Sequence, residues 1–580
     1  MTWEIRKLHD AVLSREVGGK RKEHGGRLSV ALIFPNRYAA GMSNLGFLSI
    51  HARINERPDA LCERAFLPSA AEEKILSRRM LPLSTLESGA PLKEFDIVAF
   101  SLSFENDLPN VSAILAAGGI APFRRDREGS GYPRPLVLAG GFAASLNPEP
   151  AGVFADAVVI GDGERAVEAI LDIGSHHPGD KAYLKELAAI PGIFVPAGYV
   201  PEYEKSYDSA GDPRLRMLGG KEADAYAAGR LRSLKPIPGF PEKVIREKID
   251  LSGYPPVPVI LSEDAELGRM ALVETSRGCP RMCSFCAAAH ACPEFREMPL
   301  PFIQAAVEAV WLHRNRIGMI GAAVLDWRHF KEFSHDILAR GGAVSPASIR
   351  ADLVDEEIAE ILKTSGHRTV ALAPECGDER LRARIGKRVK DAVFIDAART
   401  LIRAGIVSFK LYFLSGVPGA SEEEETYGTI EFLRAFRNAA LEESKAVGKM
   451  GTISAVLSPF VPKPFTPLQW APMTTERELK SRKVKIASGI RSIPNLRIEP
   501  EAPSSAILQG FLGLSDRRVE QALRHAKKGR LKLSPDRLAV PLNDIVHRER
   551  GAIEYFPWDI VEGGVPKKIL RARYESILGG

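Results

Sequence analysis

GCPRMCSFCAAAHAC, Gly278 to Cys292, holds four of the six cysteines in the chain. Three residues separate Cys279 from Cys283, two separate Cys283 from Cys286, and five separate Cys286 from Cys292. A four-cysteine zinc site is one reading, but structural zinc usually draws on two CxxC-like pairs from separate turns, and the last gap fits that poorly. Three thiolates spaced three then two can wrap three irons of a [4Fe–4S] cluster and leave the fourth iron without a protein ligand. An open iron is a reactive one.

The cysteines directly follow a strand candidate, MALVETS from Met270, and five more strand candidates come after them. These are IGMIGAAVLD from Ile317, VSPASIRA from Val344, RTVALAP from Arg368, VSFKLYFLSG from Val407 and TISAVLSPF from Thr452. Helix-patterned stretches such as DEEIAEILKTSG and DAVFIDAARTLIRAG separate them, each ending at a glycine. Six successive β–α units predict a partial parallel barrel, whose sites form at the carboxyl ends of the strands. The cysteine loop stands at that end of the first strand.

A second α/β pattern precedes the barrel. LSVALIF from Leu28, FDIVAFSLSF from Phe95, PLVLAGGF from Pro135 and AVVIGDGE from Ala157 are continuous apolar runs between helical stretches, the mark of a parallel sheet covered on both faces. A doubly wound, Rossmann-like domain is predicted over residues 28–190, after an extension over 1–27. Proline-punctuated text such as SLKPIPGFPEKV makes residues 191–263 a linker that wraps rather than folds alone. The barrel then occupies 264–472, and 473–580 reads as a mostly helical C-terminal domain. FVPKPFTPLQW, with Lys463, Gln469 and Trp470, is expected to close the barrel mouth.

Composition narrows the class. With 45% apolar and 26% charged residues and no run of about 18 apolar residues, the chain reads as globular with no membrane span. The first residues mix charges of both signs without an apolar core, so no secretory signal is read and a cytoplasmic location is expected. The net charge of +6 is small, and RRVEQALRHAKKGRLKLSPDR, Arg517 to Arg537, carries no aromatic residue among its charges. A solvated helix face is therefore favoured there over nucleic-acid binding.

CPRMCSFC, with Phe285 just before its last cysteine, resembles the signature of the radical S-adenosylmethionine superfamily, and the β–α units resemble its partial barrel. The resemblance implies Cys279, Cys283 and Cys286 as cluster ligands, with the amino and carboxylate groups of S-adenosylmethionine on the open iron. Cys292 falls outside the signature and, like Cys62 and Cys376, reads as a non-ligating thiol. Many members hold the methionine amine with a Gly-Gly-Glu stretch at the second strand, where this chain has Gly321-Ala322-Ala323. Arg350 in SIRAD, Glu375 in APECGDE and Ser415-Gly416 in FLSGVPG lie where the family makes its remaining cofactor contacts. A turn or a surface ion pair is the alternative reading of each.

No GxGxxG follows the first N-terminal strand. Cobalamin-binding α/β domains carry D-x-H-x-x-G there, then a serine-containing strand and a Gly-Gly pair. This chain resembles that frame in Asn36, Tyr38 and Gly41, then Ser101 and Ser103, then Gly140-Gly141, with Gly161, Asp162 and Gly163 of GDGE as a further close-approach loop. Tyr38 replaces the histidine that would ligate cobalt, and either faces the metal or packs. The domain order, with MSNLGF, ASIRADL, the stretch from ALAPE to Lys387 and FVPKPFTPLQW, resembles an uncharacterised fused branch of cobalamin-binding radical S-adenosylmethionine proteins.

That resemblance implies a [4Fe–4S] cluster, S-adenosylmethionine and cobalamin as cofactors, a small-molecule substrate and an electron donor such as flavodoxin or ferredoxin. Reduction of the cluster would release a 5′-deoxyadenosyl radical able to take hydrogen from an unactivated carbon, and methylcobalamin would deliver a methyl group. Radical rearrangement or cyclisation without methyl transfer is a second expectation. A non-catalytic zinc and corrinoid binding protein is a third. A methylthiotransferase would want three more cysteines in the N-terminal domain, which holds only Cys62.

Overall fold

The computed structural model describes residues 2–19, 21–128, 135–174, 181–204, 229–256 and 259–579, so residues 205–228 and 257–258 of the expected linker lie outside them. Two compact units emerge. The first comprises Met1–Gly268, Phe511–Ile545 and Ile553–Gly563, and the second Arg269–Gly510, Val546–Ala552 and Gly564–Gly580. Among the described residues, no helix is long and apolar enough to cross a membrane.

In the first unit, strands β1 (Leu28–Phe34), β2 (Ala60–Phe66), β3 (Ile97–Ser101), β4 (Leu136–Gly140), β5 (Ala157–Val159) and β6 (Ile193–Phe194) make one sheet. Its order is β2-β1-β3-β4-β5-β6, parallel except for the β5–β6 pair. Successive residues of a strand face opposite sides, so the unbroken burial of Ser29 to Phe34 in β1 shows both faces covered. Strand order reverses between β1 and β3, and open α/β sheets bind ligands at such a switch point.

β2 reads ALCERAF and is buried from end to end despite Glu63 and Arg64. The Arg64 guanidinium donates to Glu16 at 2.8 Å and to Glu87 at 2.6 Å. Glu63 accepts from Thr85 and Ser88 hydroxyls at 2.5 and 2.6 Å. Buried charges persist only when paired in this way. Glu16 belongs to the N-terminal extension, which forms helix Trp3–Leu13 and then pairs Glu16–Val17 antiparallel with Leu261–Ser262. Described parts of the linker also pair, Tyr199–Tyr203 with Leu231–Pro236 and Val244–Ile245 with Val561–Glu562.

In the second unit the six expected strands are β7 (Ala271–Glu274), β8 (Arg316–Ile320), β9 (Ala343–Pro346), β10 (Thr369–Glu375), β11 (Ser408–Ser415) and β12 (Ile453–Pro459). Helices Leu300–Glu308, Phe330–Ala339, Glu356–Thr364, Asp391–Arg403 and Glu422–Val447 connect them in turn. A seventh strand, β13 (Leu496–Pro500), lies in the tail expected to be helical and extends the sheet in parallel from β12. The pairings run β7-β8-β9 and β10-β11-β12-β13, all parallel. Residues 473–580 form helices Glu476–Ile490, Pro503–Leu514 and Lys567–Gly579 as well, and they are shared between the two units.

Trp470 is fully buried, its ring 5.9 Å from that of Tyr574 on the last helix. The Gln469 side chain accepts from the Phe465 amide at 3.1 Å. Trp470 therefore packs the segment after β12 onto the C-terminal helix, and Gln469 fixes a turn within that segment, for which the sequence suggested a mouth-closing role.

Candidate active site

Beyond β7, Ser276–Arg277 pairs antiparallel with Arg296–Glu297. This closes residues 278–295 into a loop at the carboxyl end of the strand. Gly278 has φ +78°, and a Cβ there would strike the Glu294 carbonyl, so the entry to the loop requires glycine. Cys283 is buried, Cys279 and Cys286 are half-buried, and all are free thiols. Cys286 caps the short helix Ala287–Ala291. Burial pushes its thiol up, opposed by the Ala289 and Ala288 amides. Burial also pushes Cys283 up to about 11, opposed first by the Lys387 charge, with Cys286 adding to the rise. Only the thiolate ligates a metal, so a metal bound here would displace the proton that burial retains.

Neighbouring elements grip this loop from several sides. The Ser284 amide donates to the Ile385 carbonyl at 2.8 Å. His290, fully buried and pulled down to about 4 by burial, bonds through Nε2 to the Cys283 carbonyl at 3.1 Å. As a neutral ring it is the donor in that bond. Arg281, inside the cysteine motif, pairs with Asp326 beyond β8 and stands 3.7 Å from Asp352 beyond β9. Asp352 in turn accepts from Arg350 at 2.8 Å. Phe285 packs on the apolar cluster of Cys376, Leu381, Ile385 and Val417.

The structure therefore gathers most of the sequence candidates of this unit. Cys279, Cys283, Cys286, Phe285, Arg350 and Glu375 meet at the carboxyl ends of β7, β9 and β10. Gly321, at the end of β8, abuts the end of β7, where a Cβ would come within 2.9 Å of the Ser276 hydroxyl. The Gly416 amide is engaged by buried Glu425 at 3.0 and 2.9 Å, so Ser415-Gly416 anchors the helix after β11 and does not offer a free amide to a cofactor. Cys376 lies behind Phe285, and Cys62 is buried inside β2. Zinc would need its ligands around one ion. Among the described residues, no three His, Cys, Asp or Glu side chains stand close enough to share one.

Sequence reasoning did not single out Arg281, Asp326, Asp352, His290 or Lys387. A signal existed for Arg281, which sits between two cysteines of the motif, and for Asp352, two residues from Arg350 in SIRAD. His290 carried none, because its role depends on the fold of its own short helix.

In the first unit the frame residues divide into two groups. At the β1/β3 switch point the Asn36 amide donates to Asp107 at 2.8 Å, and burial raises that carboxyl to about 6. Asn44 donates to Ser103 at 2.9 Å. Ser101 ends β3, Gly140 ends β4, and Gly141, Phe104 and Phe142 are exposed beside them. The second group is engaged elsewhere. Tyr38 donates its hydroxyl to Glu16 at 2.6 Å and contacts Ser262 at 2.8 Å, and burial raises its pKa, so it is packed within the fold. Gly41 lies against Phe66 and Phe34. Gly161 has φ +100° and admits the Glu247 backbone, while Asp162 accepts from the Ile249 amide at 3.0 Å. Gly163 precedes helix Glu164–Ile173 and meets Ile50. At Gly161 and Asp162 the close-approach loop thus receives the linker.

Comparison with known proteins places this geometry. The family described as radical SAM proteins, N-terminal, matches residues 46–196, and the radical SAM superfamily matches residues 273–430. The uncharacterized protein MJ0966 of Methanocaldococcus jannaschii is 24% identical over 505 residues, 86% of this chain and 91% of its own. Among solved structures, the radical S-adenosylmethionine methyltransferase TsrM of Kitasatospora setae aligns at 16% identity over 78% of this chain and 76% of its own, with a TM-score of 0.46. The cobalamin-dependent S-adenosylmethionine radical enzyme OxsB aligns at 15% identity over 73% of this chain and 56% of its own, with a TM-score of 0.42. One family match falls on the doubly wound sheet and the other on the cysteine-bearing barrel, and on both the chain belongs to the radical S-adenosylmethionine superfamily.

Proposed function

We propose that this chain is a cobalamin-dependent radical S-adenosylmethionine enzyme that methylates an unactivated carbon of a small molecule. The observation that carries the reading is the convergence of three free thiols from one glycine-gated loop with charged groups at the carboxyl ends of β9 and β10. When bound, the cluster and S-adenosylmethionine supply one-electron reduction and hydrogen abstraction, and a corrinoid supplies a transferable methyl group.

The chain's own residues supply the rest. Cys279, Cys283 and Cys286 would hold three irons, and Arg281, Ser284 and His290 fix the loop that presents them. Phe285, packed on its apolar neighbours, would shield one side of a bound cluster from water. In the first unit, Asn36, Ser101, Ser103, Gly140 and Gly141 border the switch point, and the exposed rings of Phe104 and Phe142 offer the apolar surface that a flat macrocycle requires. These residues suit a corrinoid. Tyr38, Gly161 and Asp162, already engaged within the fold, leave that candidate set. Electrons would come from a flavodoxin-like or ferredoxin-like donor.

Methylation uses S-adenosylmethionine twice, once as methyl source and once as the means of hydrogen abstraction. Anaerobic incubation with reductant, cobalamin and small-molecule extracts is expected to yield S-adenosylhomocysteine and 5′-deoxyadenosine in near-equal amounts per methylated product. 5′-Deoxyadenosine without S-adenosylhomocysteine would exclude methylation and leave rearrangement or cyclisation.

A further inference from the structure

We infer that the half-buried Lys387–Glu375 ion pair sets the reduction potential of the cluster, with Lys387 raising it and Glu375 restraining that rise. The inference rests on the cluster reading above. It begins with an unusual backbone. Glu375 ends β10 where the register against β11 shifts, and it holds φ +65°, a left-handed conformation rare for a glutamate. Such a conformation persists only where its surroundings over-determine it, and it points to a function when it stands beside an active site.

Here the Glu375 carboxylate meets Lys387 Nζ at 2.9 Å, with the side chains only 13% and 12% exposed. Lys387 is held in register with the cluster loop by its own backbone. Ile385 accepts from the Ser284 amide at 2.8 Å, and Gly386, with φ +82°, lies against Ser284 and Met282. A shift of the segment carrying Lys387 would therefore break a bond to the residue next to Cys283. The pair thus stands beside the segment that is hydrogen-bonded to the cysteine loop.

Reduction adds one negative charge to the cluster. A cation buried beside a ligand stabilises the reduced form more than the oxidised form, and low dielectric strengthens the effect. Outer groups of this kind commonly tune a metal centre without touching it. A pair serving only to staple β10 to the following segment would leave the potential unchanged.

The test is a redox titration followed by electron paramagnetic resonance on anaerobically reconstituted protein without S-adenosylmethionine. Lys387→Gln is expected to move the midpoint to more negative potential, Glu375→Gln to more positive potential, and Lys387→Arg to leave it near that of the unaltered protein. If Lys387→Gln does not load iron, Glu375→Gln, which keeps the cation, decides by the sign of its shift. Unmoved midpoints, shifts of the same sign, or loss of iron from both Gln variants would overturn the inference. An unaltered chain that takes up no iron would remove the cluster reading itself, and this inference with it.

Discussion

Cys279→Ala, Cys283→Ala and Cys286→Ala each abolish cluster assembly and S-adenosylmethionine cleavage, whereas Cys292→Ala retains both. A cluster with three protein thiolates has no spare ligand. Cys376 is buried behind Phe285 in an apolar cluster where burial pushes its thiol far up. Cys292 ends the helix that Cys286 begins and lies outside the tight spacing of the other three. Iron and sulfide content of the four variants, purified without oxygen, reads the result directly. Iron loss in Cys292→Ala would overturn the ligand assignment.

A second large effect falls on stability. Arg64→Ala is expected to cost about 3–5 kcal/mol, because it leaves two buried carboxylates without their cation. Arg64 is 1% exposed, and its partners Glu16 and Glu87 are 3% and 11% exposed. Those carboxylates hold the guanidinium firmly charged against the cost of its burial. The loss spreads, since Glu16 also accepts from Tyr38 and its strand pairs with Leu261–Ser262. Urea unfolding of the first unit measures it, and a midpoint equal to that of the unaltered protein would show the network to be dispensable.

The same network explains where the sequence was hard to read. β1, β3, β4 and β5 are legible because each is a continuous apolar run. β2 is not, because Glu63 and Arg64 interrupt ALCERAF, and the groups that satisfy them, among them Glu16, Glu87, Thr85 and Ser88, are scattered along the chain. β13 was hidden in a stretch whose LRIEP carries two charges in five residues, and only pairing with β12 makes it a strand.

At the site, ligand spacing is a local property, so the three cysteines could be found without a fold. The contacts that hold their loop could not, because Asp326 and Ile385 reach it from other β–α units. The glycines of GDGE teach a related lesson. A glycine announces that something approaches the backbone closely, but not what, and at Gly161 the visitor is Glu247 of the same chain. Tyr38 shows the converse, since a motif position can be kept while its side chain turns to Glu16 and Ser262.

The central claim is an iron–sulfur cluster held by Cys279, Cys283 and Cys286 with one iron left open to S-adenosylmethionine. Electron paramagnetic resonance of the reduced, reconstituted protein, recorded before and after addition of S-adenosylmethionine, tests it most directly. The account predicts a reduced [4Fe–4S] signal whose shape changes when S-adenosylmethionine occupies the open iron. A protein without iron, or a cluster signal that S-adenosylmethionine leaves unchanged, would contradict it.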